Sequence, residues 1–172
     1  PIPPRGQNRE EAHSLVRAAM AAKAYAERLS LAGEHGMVMV LDHIAAEGFA
    51  FAAAMVIEQM RRASPNACAW IVCGDSRMKE KVHADLAVWG CPALFFPKLS
   101  GAADALADPD TQAERLSALS RMREAEGPRA LVLAAGSLDE PAPAAGELER
   151  NRLRIETGHR FNADDWFAKL EA

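Results

Sequence analysis

The sequence predicts an α/β fold of three layers, with a parallel sheet held between helices. Two observations carry this. Short unbroken apolar runs recur at 37–41 (MVMVL), 67–73 (ACAWIVC), 92–96 (PALFF) and 130–134 (ALVLA), the mark of strands buried on both faces. Helical stretches separate them, and strands alternating with helices build a parallel sheet.

The elements follow in order. Residues 8–32 read as one amphipathic helix, with Ala12, Leu15, Ala19, Ala22, Ala26 and Leu29 at three- and four-residue spacing. Gly33 and Gly36 end it before the first strand. Residues 50–60 form a helix apolar almost all round, which should lie against the sheet. After the second strand Ser76 reads as an N-cap, and Met78, Val82, Leu86 and Trp89 make a stripe at helical spacing. Residues 97–109 are a loop with an Ala-rich turn. Asp110 or Thr111 then opens a helix, Thr111 and Glu114 fit a capping box, and Leu116, Leu119 and Met122 form its seam. Gly127 and Pro128 stop it before the fourth strand. Residues 136–146 are a Pro/Ala-rich connection, 153–155 a short strand, and Asn162 caps a last helix, with Phe161 and Trp166 as a hydrophobic staple.

A chain of 172 residues suits one α/β domain with the start of a second. Its formal net charge is −4 and its isoelectric point about 5.8. A free-standing duplex-DNA binder carries a basic face, because phosphate neutralisation supplies most of its affinity. Here the arginine-rich stretches 115–123 and 150–154 are interleaved with Glu and Leu, as solvated faces are. Cys68, Cys73 and Cys91 show no C-x-x-C spacing and sit among apolar residues, which implies reduced core thiols and a cytoplasmic protein. No run of 18 apolar residues is present. The five histidines are scattered, so no metal site is expected. Gly74-Asp75-Ser76 resembles a hydrolase nucleophile turn, but the D-x-x-H that would supply the base is missing and Ser76 is read as a cap. Asp164 and Asp165 fall in the first turn of the last helix, where negative charge favours the helix dipole.

One turn carries the functional argument. In a P-loop protein the first buried strand runs into G-x-x-x-x-G-K-[ST] at the start of a helix. The glycines let backbone N–H groups wrap the phosphates, the Lys reaches the β/γ-phosphates and the hydroxyl holds Mg²⁺. Here 37–41 leads into 43–50 (HIAAEGFA) and then a helix. Of the four defining positions only Gly48 remains. His43 replaces the first glycine and is expected to be unable to make its turn, while Phe49 replaces the lysine and Ala50 the hydroxyl. Glu47 adds a negative charge where phosphates would sit. Losing cation and metal ligand together removes nearly all triphosphate affinity. The plain alternative is a βα turn that never held phosphate.

Four further stretches bear on that choice: 69–90 (AWIVCGDSRMKEKVHADLAVWG), LFFP at 94–97 with 108–122 (DPDTQAERLSALSRM), 130–143 (ALVLAAGSLDEPAP), and 153–172 (LRIETGHRFNADDWFAKLEA). In order and spacing they resemble the N-terminal region of bacterial transcription-repair coupling factors (Mfd), which is similar in turn to the excision-repair protein UvrB. The resemblance implies a RecA-like P-loop fold that has lost its Walker motif, as 43–50 has. It departs from UvrB where that protein carries a Tyr-rich hairpin engaging unpaired DNA: 97–109 contains no aromatic residue, and Tyr25 is the chain's single tyrosine.

The resemblance thus implies two parts. Residues 1–148 are a degenerate RecA-like domain, and 149–172 begin a second domain of the kind that contacts the excision-repair protein UvrA. It implies a module without hydrolysis or cofactor, in a family whose full-length members are ATP-dependent DNA translocases. Its partners would be other domains of the same protein and UvrA, with little direct contact to nucleic acid and none to membrane. Arg115 matches the family's recurrent Arg, read as an interdomain salt bridge. The aromatic cluster within 153–172 is expected to pair two copies, against the alternative that it folds back on the first domain. A different class stays open: a small stand-alone α/β enzyme or nucleotide-binding domain.

Overall fold

Three parallel strands, β1 (Ala69–Cys73), β2 (Leu94–Phe95) and β3 (Ala130–Ala134), make the sheet in the order β1–β3–β2. The computed structural model describes residues 5–30, 38–99, 108–124, 130–150, 157–158 and 162–163. Cys73 pairs with Ala134 and Leu94 with Leu131, so the carboxyl ends of all three strands point the same way.

Helices cover both faces at β3, but one face of β1 is bare, so the run expected to be buried on both faces is buried on one, with Trp70 and Val72 55% and 48% exposed. On one face, Ala130 and Val132 share a core with Ile57 of α3 (Phe49–Ala63) and with Val82 and Leu86 of α4 (Ser76–Val88). On the other, Leu131 and Leu133 pack with Leu94, Phe96 and Ala118 of α5 (Pro109–Met122). The alternation along β3 is the period-two geometry of a strand, with both faces buried. Alanines on α3 (Ala50, Ala52 and Ala54 are buried) keep its axis close to its neighbours, and Arg61 and Arg62 in its last turn suit the helix dipole.

The first helical region is two helices. Ala22 leaves the helical region (φ −65, ψ 130) between α1 (Arg5–Ala21) and α2 (Lys23–Leu29). Val16 and Met20 carry its burial, and Leu15, one position round, is exposed. Both later helices start earlier than their sequence suggests. Asp75, not Ser76, caps α4, its carboxylate accepting from Met78 N–H at 2.7 Å. Asp108 caps α5 ahead of Pro109, accepting from both the hydroxyl and the backbone N–H of Thr111. A carboxylate is the stronger acceptor and also opposes the helix dipole, so the aspartates win these positions. The α5 seam is likewise shifted: Arg115 and Ala118 are buried, Leu119 and Met122 half-buried, and Leu116 stands out at 40% exposure.

One expected strand is missing from the sheet. Residues 38–41 form no ladder with β1 or any other described strand, and Val38 and Val40 are 86% and 78% exposed. An apolar run becomes a strand only where a neighbouring edge accepts its hydrogen bonds, and no described strand pairs with it. The connection after β3 holds a 3₁₀ turn (Ala135–Leu138) and a short helix α6 (Ala145–Arg150). Contacts divide the chain into two units, Pro1–Pro141 and Ala142–Ala172. The strand at 153–155, the staple of Phe161 and Trp166, Asp164 and Asp165, and the pairing segment within 153–172 lie outside the described residues, apart from 157–158 and 162–163; so do Gly33, Gly36, Gly127, Pro128 and 100–107 of the loop. No helix among the described residues is long and apolar enough to cross a membrane.

Leu86 is fully enclosed whereas Leu116 is not. Leu86→Ala should therefore cost about 2–5 kcal/mol, as large-to-small core changes do, and Leu116→Ala about 0.5 kcal/mol or less, as at exposed positions. Urea titration of the two variants beside the parent measures both.

Candidate functional site

The five loop positions singled out by the sequence part company in the structure. His43 is the described non-glycine residue with a left-handed backbone, φ 57. It makes the turn that was expected to need glycine, at a conformational cost of about 1–3 kcal/mol. Its imidazole projects into solvent, 3.6 Å from the Asp42 carboxylate. Glu47 is exposed in a 3₁₀ turn, Ala46–Gly48. Gly48 is the N-cap of α3, and no side chain caps it. A Cβ there would stand 3.2 Å from the Ile44 side chain, so the close approach of loop and helix favours glycine. Phe49 is half-buried and lines an apolar groove together with Ala69, Trp70 and Ile71 of β1. Ala50 is 1% exposed, inside the core beneath the helix.

The turn into α3 thus carries neither a cation nor a hydroxyl at the positions where a phosphate loop would need them. At the position of the lysine Phe49 is half-buried and lines an apolar groove; at the position of the hydroxyl the Ala50 methyl group is sealed from solvent. In front of the loop lies a cavity of about 390 Å³, lined by His43, Gly48, Phe51 and Met55 with Tyr25 and Arg28 of α2. His43 and Gly48 reach it; Glu47, Phe49 and Ala50 do not. Its walls are largely apolar, suited to an apolar group more than to phosphates. No group of three or more His, Cys, Asp or Glu that could hold a metal ion occurs among the described residues.

A second cluster lies at the carboxyl ends of β2 and β3, where open α/β sheets place ligands. Arg115 is 5% exposed. Its Nη1 donates to Glu140 Oε2 at 2.5 Å and to the Pro97 carbonyl at 2.8 Å, its Nη2 donates to the Pro141 carbonyl, and the guanidinium lies over the Phe96 ring. Glu140 also accepts from Leu99 N–H. The expected interdomain bridge of Arg115 is therefore a bridge inside the first unit, tying α5 to the segments after β2 and β3. Lys79 is 3% exposed, with Nζ 3.1 Å from the Phe96 carbonyl and over the Phe95 ring. Burial pushes its ammonium below the ordinary 10.5, while Glu80 and Glu140 oppose the shift.

Sequence reading passed over Lys79 and Glu140. Lys79 had a signal: with Val82 and Leu86 it stands at i, i+3, i+7, on the buried side of α4. Glu140 had none, because its partner Arg115 is 25 residues away in the chain. No match was found for the chain among protein-family models, curated proteins or solved structures.

Removing one member of the buried pair strands the other. Arg115→Ala should cost about 3–5 kcal/mol, and Arg115→Met with Glu140→Leu substantially less, because the double change leaves no unpaired charge. A denaturant double-mutant cycle tests this. Lys79 gives a pH signature. Between its lowered folded pKa and 10.5 the unfolded chain holds a proton that the folded chain has released, so folding gains as pH rises through that window. The stability of the parent relative to Lys79→Met should climb with pH there and level off above 10.5; a flat difference would show that burial does not perturb the amine.

Proposed function

We propose that this chain is the non-hydrolysing N-terminal module of a transcription-repair coupling factor, acting through protein–protein contacts in transcription-coupled nucleotide-excision repair. In this reading 1–148 is a RecA-like, UvrB-like domain with a dead phosphate loop, and 149–172 opens the domain that meets UvrA. The observation that carries it is the turn at 43–50. It enters α3 through a left-handed residue and a close-packed glycine, yet the positions of lysine and hydroxyl are Phe49 beside an apolar groove and Ala50 in the core. A turn into a helix with apolar residues at the positions of lysine and hydroxyl suits a domain descended from an ATPase and kept for its surfaces. The parallel sheet with helices on both faces at β3 supports the same reading. The order of the stretches within 69–172, which resembles that of the coupling factors, is the sequence feature from which the reading starts.

The partners proposed are the neighbouring domains of the same protein and UvrA, in the cytoplasm, with pairing of copies through 153–172. Direct DNA affinity is low in this reading, given the net charge of −4. The cavity of about 390 Å³, whose largely apolar walls suit a base or another apolar group, favours the alternative of a small stand-alone α/β enzyme or nucleotide-binding domain.

Calorimetric titration with Mg·ATP separates the two. The proposal expects no saturable binding tighter than the order of millimolar, and Phe49→Lys with Ala50→Thr should not restore any, since a threonine at a position 1% exposed cannot reach a metal. Saturation at micromolar nucleotide supports the alternative. In cells, deleting the coding region should abolish the faster repair of transcribed strands after ultraviolet damage. Unchanged strand bias would remove the coupling-factor reading.

A further inference from the structure

The cavity in front of the 43–50 turn holds about 390 Å³, within the range of about 300–1,000 Å³ typical of small-molecule sites. Residues of α2, of 41–48 and of α3 line it. Leu29, Ala52 and Met55 are buried and give it an apolar depth. Two aromatic rings line it as well, Tyr25 of α2 and Phe51 of α3. The Phe51 ring is held edge to face against Trp89 of α4, with centroids 4.8 Å apart. That wall is therefore fixed before any ligand arrives.

The charged residues of the lining are Arg28, Asp42 and His43. Asp42 has a counter-group, because the His43 imidazole stands 3.6 Å from its carboxylate. Arg28 has none. Among the described residues its guanidinium makes neither an ion pair nor a hydrogen bond. The backbone of His43 is left-handed, φ 57, and strain of this kind collects where ligands are held. A free cation beside an apolar, ring-lined recess defines an occupant at both of its ends.

We propose that this cavity binds a small aromatic carboxylic acid, its ring against Tyr25, Phe51 and Met55 and its carboxylate on Arg28. Aromatic rings gain from meeting other rings and methionine sulfur, beyond the area they bury. The guanidinium offers paired N–H donors that match the two oxygens of a carboxylate. A triphosphate suits the arrangement poorly, since a lone arginine would face several charges and the Asp42 carboxylate would repel them. The inference needs neither a coupling factor's partners nor a bound nucleotide, so it and the proposed function fail separately.

Methyl NMR of the full chain, labelled at its methionines, tests it with 3-phenylpropionate as the probe. The Met55 methyl should shift and saturate, with a dissociation constant on the order of 1 mM or tighter. Met122, which packs on the opposite core, should not move. The uncharged 3-phenylpropionamide should bind about tenfold more weakly, having lost the charge-assisted pair. Arg28→Gln, at an exposed position, should weaken the acid about tenfold and leave the amide unchanged. Tyr25→Ser, also at an exposed position, should weaken acid and amide alike. No saturable shift at Met55, equal binding of acid and amide, or an Arg28→Gln variant that still prefers the acid would each overturn the proposal. So would joint shifts of Met55 and Met122, which report association at large and not entry into the cavity.

Discussion

The five residues of β3 are buried on both faces at once, and both cores are anchored there. Ala130 and Val132 belong with α3 and α4, Leu131 and Leu133 with α5. Because β3 also sits between β1 and β2, its backbone makes every ladder in the described sheet. Neither face could be repacked alone, since a shift of one residue in register would carry each side chain into the opposite core. The helices take their places from that strand, and the turn at 43–50 takes its place from α3.

Polar groups fix what apolar packing leaves loose. Arg115 is locked to the carbonyls of Pro97 and Pro141 and to Glu140, while Lys79 is held on the Phe96 carbonyl. These bonds hold the segments leaving β2 and β3 against α4 and α5. Two cations in one enclosed region with one carboxylate beside them make a costly arrangement, tolerable because nearly every donor finds an oxygen or a ring. Hydrophobic burial alone would not choose among the several ways those loops could leave the sheet.

Much of this was legible in the sequence wherever the signal was local. The runs ALVLA and ACAWIVC name β3 and β1 to within two residues, and the spacing of Met78, Val82 and Leu86 names the inner side of α4. MVMVL at 37–41 reads as strongly as either, but whether an apolar run becomes a strand depends on a partner edge that local pattern cannot report. Caps were misplaced for a smaller reason: Ser76 and Thr111 are good cap residues, but aspartates stand just upstream and outcompete them. That 43–50 has no lysine or hydroxyl to offer a phosphate could be read from residue types. That His43 would nonetheless adopt the glycine-like turn could not, because that strain is imposed by how loop and helix meet.

The cysteines give the core an optical handle. Burial lifts the Cys91 thiol to about 11 and raises that of Cys73, where Asp75 adds to the effect, so both are almost wholly protonated at neutral pH and slow towards electrophiles. A thiol-reactive fluorophore added to the native chain would therefore reach Cys73 and Cys91 only as the core around the sheet opens, and its attachment there would time that opening without any engineered residue.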